Sequence, residues 1–185
     1  MFNKREVIAS VHNEIALQRA LELDEVKTIF LINGDILTLQ ENIKHIRKYD
    51  KRLFLHFDTI QGLSTDVKGV NYTVEILKPD GILSTRGQVI QHAKKLGLLT
   101  IQRLFLIDTT ALNSGVRSIK QSNPDAVEAM PGLMPRVISE LCSHIEQPVV
   151  AGGLIKENYE VELALDAGAV AVSLSDISYW KKKGV

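Results

Sequence analysis

Pro148-Val149-Val150-Ala151-Gly152-Gly153 and, after an intervening amphipathic run, Ala169-Val170-Ala171-Val172-Ser173-Leu174 decide the reading of this chain. Each is a short, almost wholly apolar run that ends in glycine or serine. Runs of this kind suit strands buried on both faces, as in a parallel sheet, because a half-solvated strand would alternate apolar and polar residues. Between them, about Glu157 to Ala167 reads as a helix closed by Gly168, a residue that accepts the left-handed cap conformation cheaply.

The same alternation extends back to the start. Strand-like runs are expected at Val7–Val11, Thr28–Ile32, Leu53–Phe57, Gly81–Leu83, near Leu98 with an extended pattern as far as Ile107, and Ala126–Met130. Helical patterns follow at about Glu14–Leu23, Leu39–Tyr49, Val67–Leu77, Arg86–Leu96, Asp108–Lys120 and Gly132–Ile145. Asn33-Gly34-Asp35 reads as a turn, and Asp108-Thr109-Thr110 supplies N-cap chemistry. Eight strand-like runs alternating with helices predict an α/β fold, a small (β/α)8 TIM-type barrel. An open doubly wound sheet is the rival, but the last strand is followed only by a stub, Asp176 to Trp180, which favours closure. Tyr179 and Trp180 are expected to pack on the first helix.

At 185 residues the chain fits a single domain, residues 1–185. It is short for this barrel, which typically takes about 250 residues, so its connections must be minimal and no lid domain fits. Basic and acidic residues balance at 22 each. That argues against nucleic-acid binding through the whole surface and restricts such contact to a local patch. The one cysteine, Cys142, cannot form an internal disulfide and reads as packing. The opening MFNKREVIASV has no long apolar stretch, and no run approaches the roughly 18 apolar residues of a membrane span. The expectation is a cytoplasmic protein without membrane contact or cofactor; a homo-oligomer is left open.

In such barrels function sits at the C-terminal ends of the strands, and the loops after strands seven and eight often hold a phosphate. Here those loops carry Gly152 and Gly153, then Ser173 and Ser175. Glycine lets backbone N–H groups approach an anion, serine offers hydroxyls, and a short helix opening near 174–176 would aim further amides. Either loop alone would suit an ordinary capped turn. Both together, in the last two units, point to a phosphate ligand. Asp176 would repel a phosphate unless its side chain faces away.

Polar residues also gather at the other expected strand ends: His12, Asn33, His56, Asp58, Ser84, Arg86, Gln102, Arg103, Asp108 and Glu128. Of these, His56, Asp58, Ser84, Arg86, Gln102, Arg103 and Glu128 are the candidate pocket for ligand hydroxyls. Glu128 and His56 stand out because apolar neighbours flank them on strands. A buried carboxylate needs a partner, and Arg86 or Arg103 could supply one. Catalysis is thinly supported: no lysine ends a strand, which disfavours a Schiff-base aldolase. His56-Phe57-Asp58 offers two metal ligands without a third, so no metal site is expected.

The runs His56-Phe57-Asp58-Thr59-Ile60-Gln61-Gly62-Leu63, Gly81-Ile82-Leu83-Ser84-Thr85-Arg86, Thr100 to Asp108, Pro124-Asp125-Ala126-Val127-Glu128-Ala129-Met130-Pro131-Gly132 and Pro148 to Ile155 occur in this order. With Gly168 to Ser173 behind them, the chain resembles the glycerol-uptake operon antiterminator family over nearly its whole length. The resemblance implies a barrel and a non-enzymatic regulator that responds to glycerol 3-phosphate and acts by antitermination on leader mRNA. A related phosphate ester is the wider ligand class. The phosphate would suit Gly152, Gly153 and Ser173, and the hydroxyls a group such as Glu128. Candidate RNA contacts are Lys44, Arg47, Lys48 and Lys51, with Arg52 beside them, and the tail Lys181-Lys182-Lys183; a solvated helix face would look the same. Two other readings stand beside this one: a phosphosugar isomerase or epimerase using Glu128 with His56 or Asp58, and a phosphate-ester sensor that does not touch RNA.

Overall fold

The computed structural model describes residues 1–181; Lys182 and Lys183 of the basic tail lie outside them. Eight strands form the barrel: β1 Glu6–Val11, β2 Thr28–Leu31, β3 Arg52–His56, β4 Gly81–Ser84, β5 Leu99–Phe105, β6 Ala126–Met130, β7 Val149–Gly152 and β8 Ala171–Leu174. Every neighbouring pair is parallel, and β1 pairs with β8, Ile8 opposite Ser173, so the sheet closes on itself. Among the described residues seven α-helices cover it: α1 Glu14–Glu22, α2 Ile36–Ile46, α3 Val67–Tyr72, which a π-helical turn Thr73–Leu77 continues, α4 Gly87–Lys95, α5 Thr109–Ser122, α6 Pro135–His144 and α7 Asn158–Asp166. None of the described helices is long and apolar enough to cross a membrane.

The strands have two buried faces, which is why they read as continuous apolar runs. Outward residues such as Ile82, Val149 and Val172 pack under the helices in the larger core. Inward, each strand contributes to a second, smaller core: Ile8, Phe30, Phe54, Leu83, Ile101, Ala126, Val150 and Ala171. Phe2 closes the end where the strands begin, its ring 6.4 Å from Phe30 and 6.1 Å from Phe54. Beside it Glu6 accepts from the Thr28 hydroxyl at 2.5 Å and from Arg52 at 3.2 Å. The floor is therefore closed by side chains, and the pocket over the polar layer lies at the opposite end.

At that opposite end short polar side chains start the helices. Asn13, Asp35, Asp66 and Asp108 each accept backbone N–H groups in the first turn of α1, α2, α3 and α5. Asp35 shifts α2 three residues ahead of the expected start, because its carboxylate takes the N–H groups of Leu37 and Thr38. Gly34–Asp35, read from the sequence as a turn, also pairs with Ile60–Gln61 and ties the loops after β2 and β3 together. The terminal turn Ile177–Tyr179 contacts α1. Trp180 behind it is 1% exposed, and its indole N–H donates to the Leu174 carbonyl at 2.8 Å.

Candidate functional site

Two-residue periodicity along the strands fixes what enters the mouth. Above the apolar inward layer the next inward positions are Ser10, His56, Arg103, Glu128, Gly152 and Ser173, all buried. At their centre the Arg103 Nε donates to Glu128 Oε2 at 2.5 Å, and the Ser173 hydroxyl donates to Glu128 Oε1 at 2.6 Å. Glu128 is wholly buried and Arg103 is 8% exposed, so the pair is held away from bulk water. A Cβ on Gly152 would stand 2.2 Å from the Ser173 hydroxyl and 2.8 Å from Glu128 Oε1; glycine there is what lets the three residues converge.

The pocket over this layer has a volume of about 80 Å³ and is lined by Ser10, His12, Ile32, Arg103, Glu128, Met130, Gly153, Leu154, Ile155, Ser173, Leu174 and Ser175. One water needs roughly 10–15 Å³ of such space, so the pocket suits a ligand of a few heavy atoms reaching out towards the rim. Gly153 and Leu154 both take left-handed backbone, with φ of +77° and +65°. Both line the pocket together with Ser175. A Cβ on Gly153 would meet the Met130 methyl at 2.6 Å, so a side chain there disturbs Met130 and the turn as well as any anion. The Asp176 carboxylate turns back onto Ser178, accepting its N–H and hydroxyl at 2.9 and 2.7 Å.

The site combines one buried ion pair, Arg103 with Glu128, with neutral imidazole. Burial, then the Arg103 charge, pushes His56 down to about 4, with Asp58 opposing. Burial and Arg103 also lower His12 at the rim. Both rings are therefore uncharged near neutrality, which leaves Arg103 as the cation beneath the pocket.

The sequence-predicted residues divide into three groups. Gly153, Ser173, Ser175, Arg103 and Glu128 line the pocket, with Gly152 in the wall beneath and His56 in the same inward layer. Asp58 and Ser84 form a separate cluster: Ser84 faces outward on β4 and donates to Asp58 at 2.6 Å, while the Thr85 N–H and hydroxyl both donate to Asp58 at 2.7 Å. Arg86 begins α4 and is exposed. Gln102 lies away from the mouth: it is next to the inward Arg103, hence outward, and bonds Ser118 and Ser122 of α5 at 2.7 and 2.5 Å. Ser10 and Ile32 were not singled out from the sequence; counting in twos from the inward Ile8 and Phe30 finds both. Among the described residues no three His, Cys, Asp or Glu side chains converge to hold a metal ion.

The expected basic patch is mostly committed to the fold. Lys51 donates to the Leu23 and Val26 carbonyls, both at 2.6 Å, and Arg47 to those of Leu77 and Lys78. Lys44 pairs with Glu41 at 2.9 Å. Lys48 alone of the four has neither an ion pair nor a side-chain hydrogen bond among the described residues. The group surrounds the end of α2 and the start of β3, at the closed end of the barrel.

A model of the family described as glycerol-3-phosphate responsive antiterminator matches residues 7–180. The chain belongs to that family. Other members and relatives follow it over nearly their whole length. The solved structure of a glycerol uptake operon antiterminator regulatory protein from Listeria monocytogenes is 34% identical, with a TM-score of 0.94 over 98% of this chain and 97% of that one. A glycerol uptake operon antiterminator-related protein from Thermotoga maritima is 25% identical, with a TM-score of 0.84 over 96% and 98%. The uncharacterized protein YgcP of Escherichia coli (strain K12) is 32% identical over 97% of this chain and 94% of its own. The antiterminator family is thus built on a closed barrel in this chain, and its matched region spans the whole polar mouth.

Proposed function

We propose that this antiterminator-family protein is a non-enzymatic sensor that binds glycerol 3-phosphate in the barrel mouth and acts on leader mRNA of glycerol-metabolism genes. The observation that carries the reading is the buried Arg103–Glu128–Ser173 cluster lying directly beneath the loops of Gly153 and Ser175. The phosphate sits at the rim, against the two loops with Arg103 below, where charge-assisted hydrogen bonds favour a dianion. The glycerol end points down to Glu128, whose carboxylate oxygens have lone pairs left for hydroxyl donors. Ligand drives regulation only by binding the RNA-competent state better than the alternative, and the loops after β7 and β8 are the elements it touches. With a net charge of zero, the RNA contact is local and draws on exposed lysines such as Lys48, so its salt dependence is shallow.

The test is calorimetric titration with glycerol, inorganic phosphate and glycerol 3-phosphate, on the wild type and on Glu128→Gln. Glycerol 3-phosphate binds far more tightly than glycerol; Glu128→Gln weakens it and leaves inorganic phosphate nearly unchanged. A gel-shift titration of glycerol-operon leader RNA, with and without saturating ligand, follows. Glycerol binding as tightly as its phosphate, or RNA affinity indifferent to ligand, refutes the proposal.

A further inference from the structure

His56 is 5% exposed, and its Nε2 is the one buried side-chain nitrogen or oxygen among the described residues without a hydrogen-bond partner. Its other nitrogen is held, with Nδ1 2.8 Å from the Thr59 hydroxyl oxygen. That hydroxyl also faces two carbonyls, of Ile32 and, at 3.0 Å, of His56 itself. Carbonyls only accept, so the single hydroxyl proton goes to a carbonyl and Nδ1–H must be the donor to Thr59. The ring is then locked as the neutral Nδ1–H tautomer, with a bare lone pair on Nε2. The charged or titratable groups that influence the ring are Arg103, Asp58 and His12, and none of them gives Nε2 a hydrogen bond. Because Phe54 faces the barrel interior, His56 two residues on faces it too, one layer nearer the mouth; its ring stands behind the pocket lining, close enough to the lining residues Arg103 and His12 for both to act on its charge. A buried acceptor with no donor is costly and calls for an explanation.

We propose that His56 Nε2 accepts the O–H of a ligand alcohol, so that the site selects polyol phosphates against the ketone phosphates of the same carbon skeleton. The proposal rests on the ligand reading above and specifies its chemistry. A ketone oxygen at that position would present lone pairs to a lone pair and leave both unsatisfied. Sites that hydrogen-bond a ligand hydroxyl reject analogues lacking it more strongly than apolar pockets reject a change of size. Thr59 is the positioning residue: it keeps the proton on the far nitrogen and thereby sets the sign of the discrimination. The sensor then reports the reduced three-carbon ester and stays silent to the oxidised one.

The test compares glycerol 3-phosphate with dihydroxyacetone phosphate by calorimetry on the wild type, His56→Phe and Thr59→Val. The wild type prefers the alcohol by roughly tenfold to a hundredfold, the range of one buried unsatisfied group. His56→Phe abolishes the preference mainly by weakening glycerol 3-phosphate, and inorganic phosphate is little changed. Thr59→Val keeps the imidazole but frees its tautomer, so the preference shrinks. Nitrogen-15 NMR of the wild type near neutral pH shows an unprotonated Nε2 whose resonance moves when glycerol 3-phosphate is added. An Nε2–H tautomer, or a His56→Phe protein that keeps the full preference, overturns the proposal. Equal binding of the two esters by the wild type also overturns it while leaving the ligand reading intact. Binding of neither ester refutes both.

Discussion

Replacing Arg103 with methionine removes the partner of a carboxylate that has no solvent exposure, at a contact of 2.5 Å. Glu128 would keep only the Ser173 hydroxyl, at 2.6 Å. Breaking a buried ion pair from one side typically costs about 3–5 kcal/mol, because the stranded charge retains its desolvation penalty. Glu128→Gln is milder, since its amide oxygen can still accept and Arg103 lies nearer the open mouth; about 1–3 kcal/mol is expected. The double variant Arg103→Met with Glu128→Gln strands no charge and is more stable than Arg103→Met alone. The two changes are therefore non-additive, with a coupling of about 1–3 kcal/mol, in the range found for contacting residues. Urea unfolding followed by circular dichroism measures all four proteins, with an unchanged m-value certifying that the unfolded reference is the same. In a chain of this size Arg103→Met lowers the melting temperature by roughly 6–20 °C. Strict additivity, or a loss below about 1 kcal/mol for Arg103→Met, would refute a buried and mutually dependent pair.

Trp180→Ala costs about 3–5 kcal/mol in the same unfolding assay, because the indole is 1% exposed and bonded to Leu174; a change under about 0.5 kcal/mol would place it on the surface. His56 makes the fold acid-sensitive in a defined window: its folded value is about 4, whereas an unfolded histidine titrates near ~6.5. Below ~6.5 the unfolded chain takes a proton the folded one refuses, so stability is full above that pH and declines towards pH ~4, by about 3 kcal/mol from this group. His56→Phe flattens that part of the profile of urea midpoint against pH, and identical slopes in the two proteins would show that His56 does not titrate between the states.

The barrel was legible because nearly every strand is buried on both faces and therefore stands out from the amphipathic helices around it. The same property hid which side chains enter the mouth. Thr100 to Leu104 is buried throughout, so no alternation of polarity tells Arg103, inward, from Gln102, outward. Both are polar, and only the register against β6, with Arg103 opposite Glu128, separates them. Asp58 and Ser84 illustrate another limit: polar groups at strand ends are as useful for bracing loops as for binding, and these two found each other. That the Gly-Gly and Ser loops border the mouth of the barrel was readable from position alone. What could not be read was the hydrogen bonding of Thr59, which ends the short 3-10 turn Phe57–Thr59 and meets the Ile32 carbonyl only once the chain is folded.

The pairing of β1 with β8 joins Glu6 through Ala9 to Ala171 through Leu174, the most distant partners in the barrel. Contacts of that sequence separation are formed late, since loop-closure entropy must be met before they stabilise anything. Until β8 docks, β1 and β7 remain as bare edges with unpaired N–H and C=O groups, flanked by Val7, Ile8, Val149 and Val150. Such edges are templates for pairing with another chain. The last seam is thus the place where folding and aggregation compete, and refolding yield should fall with protein concentration well before the native stability is exhausted.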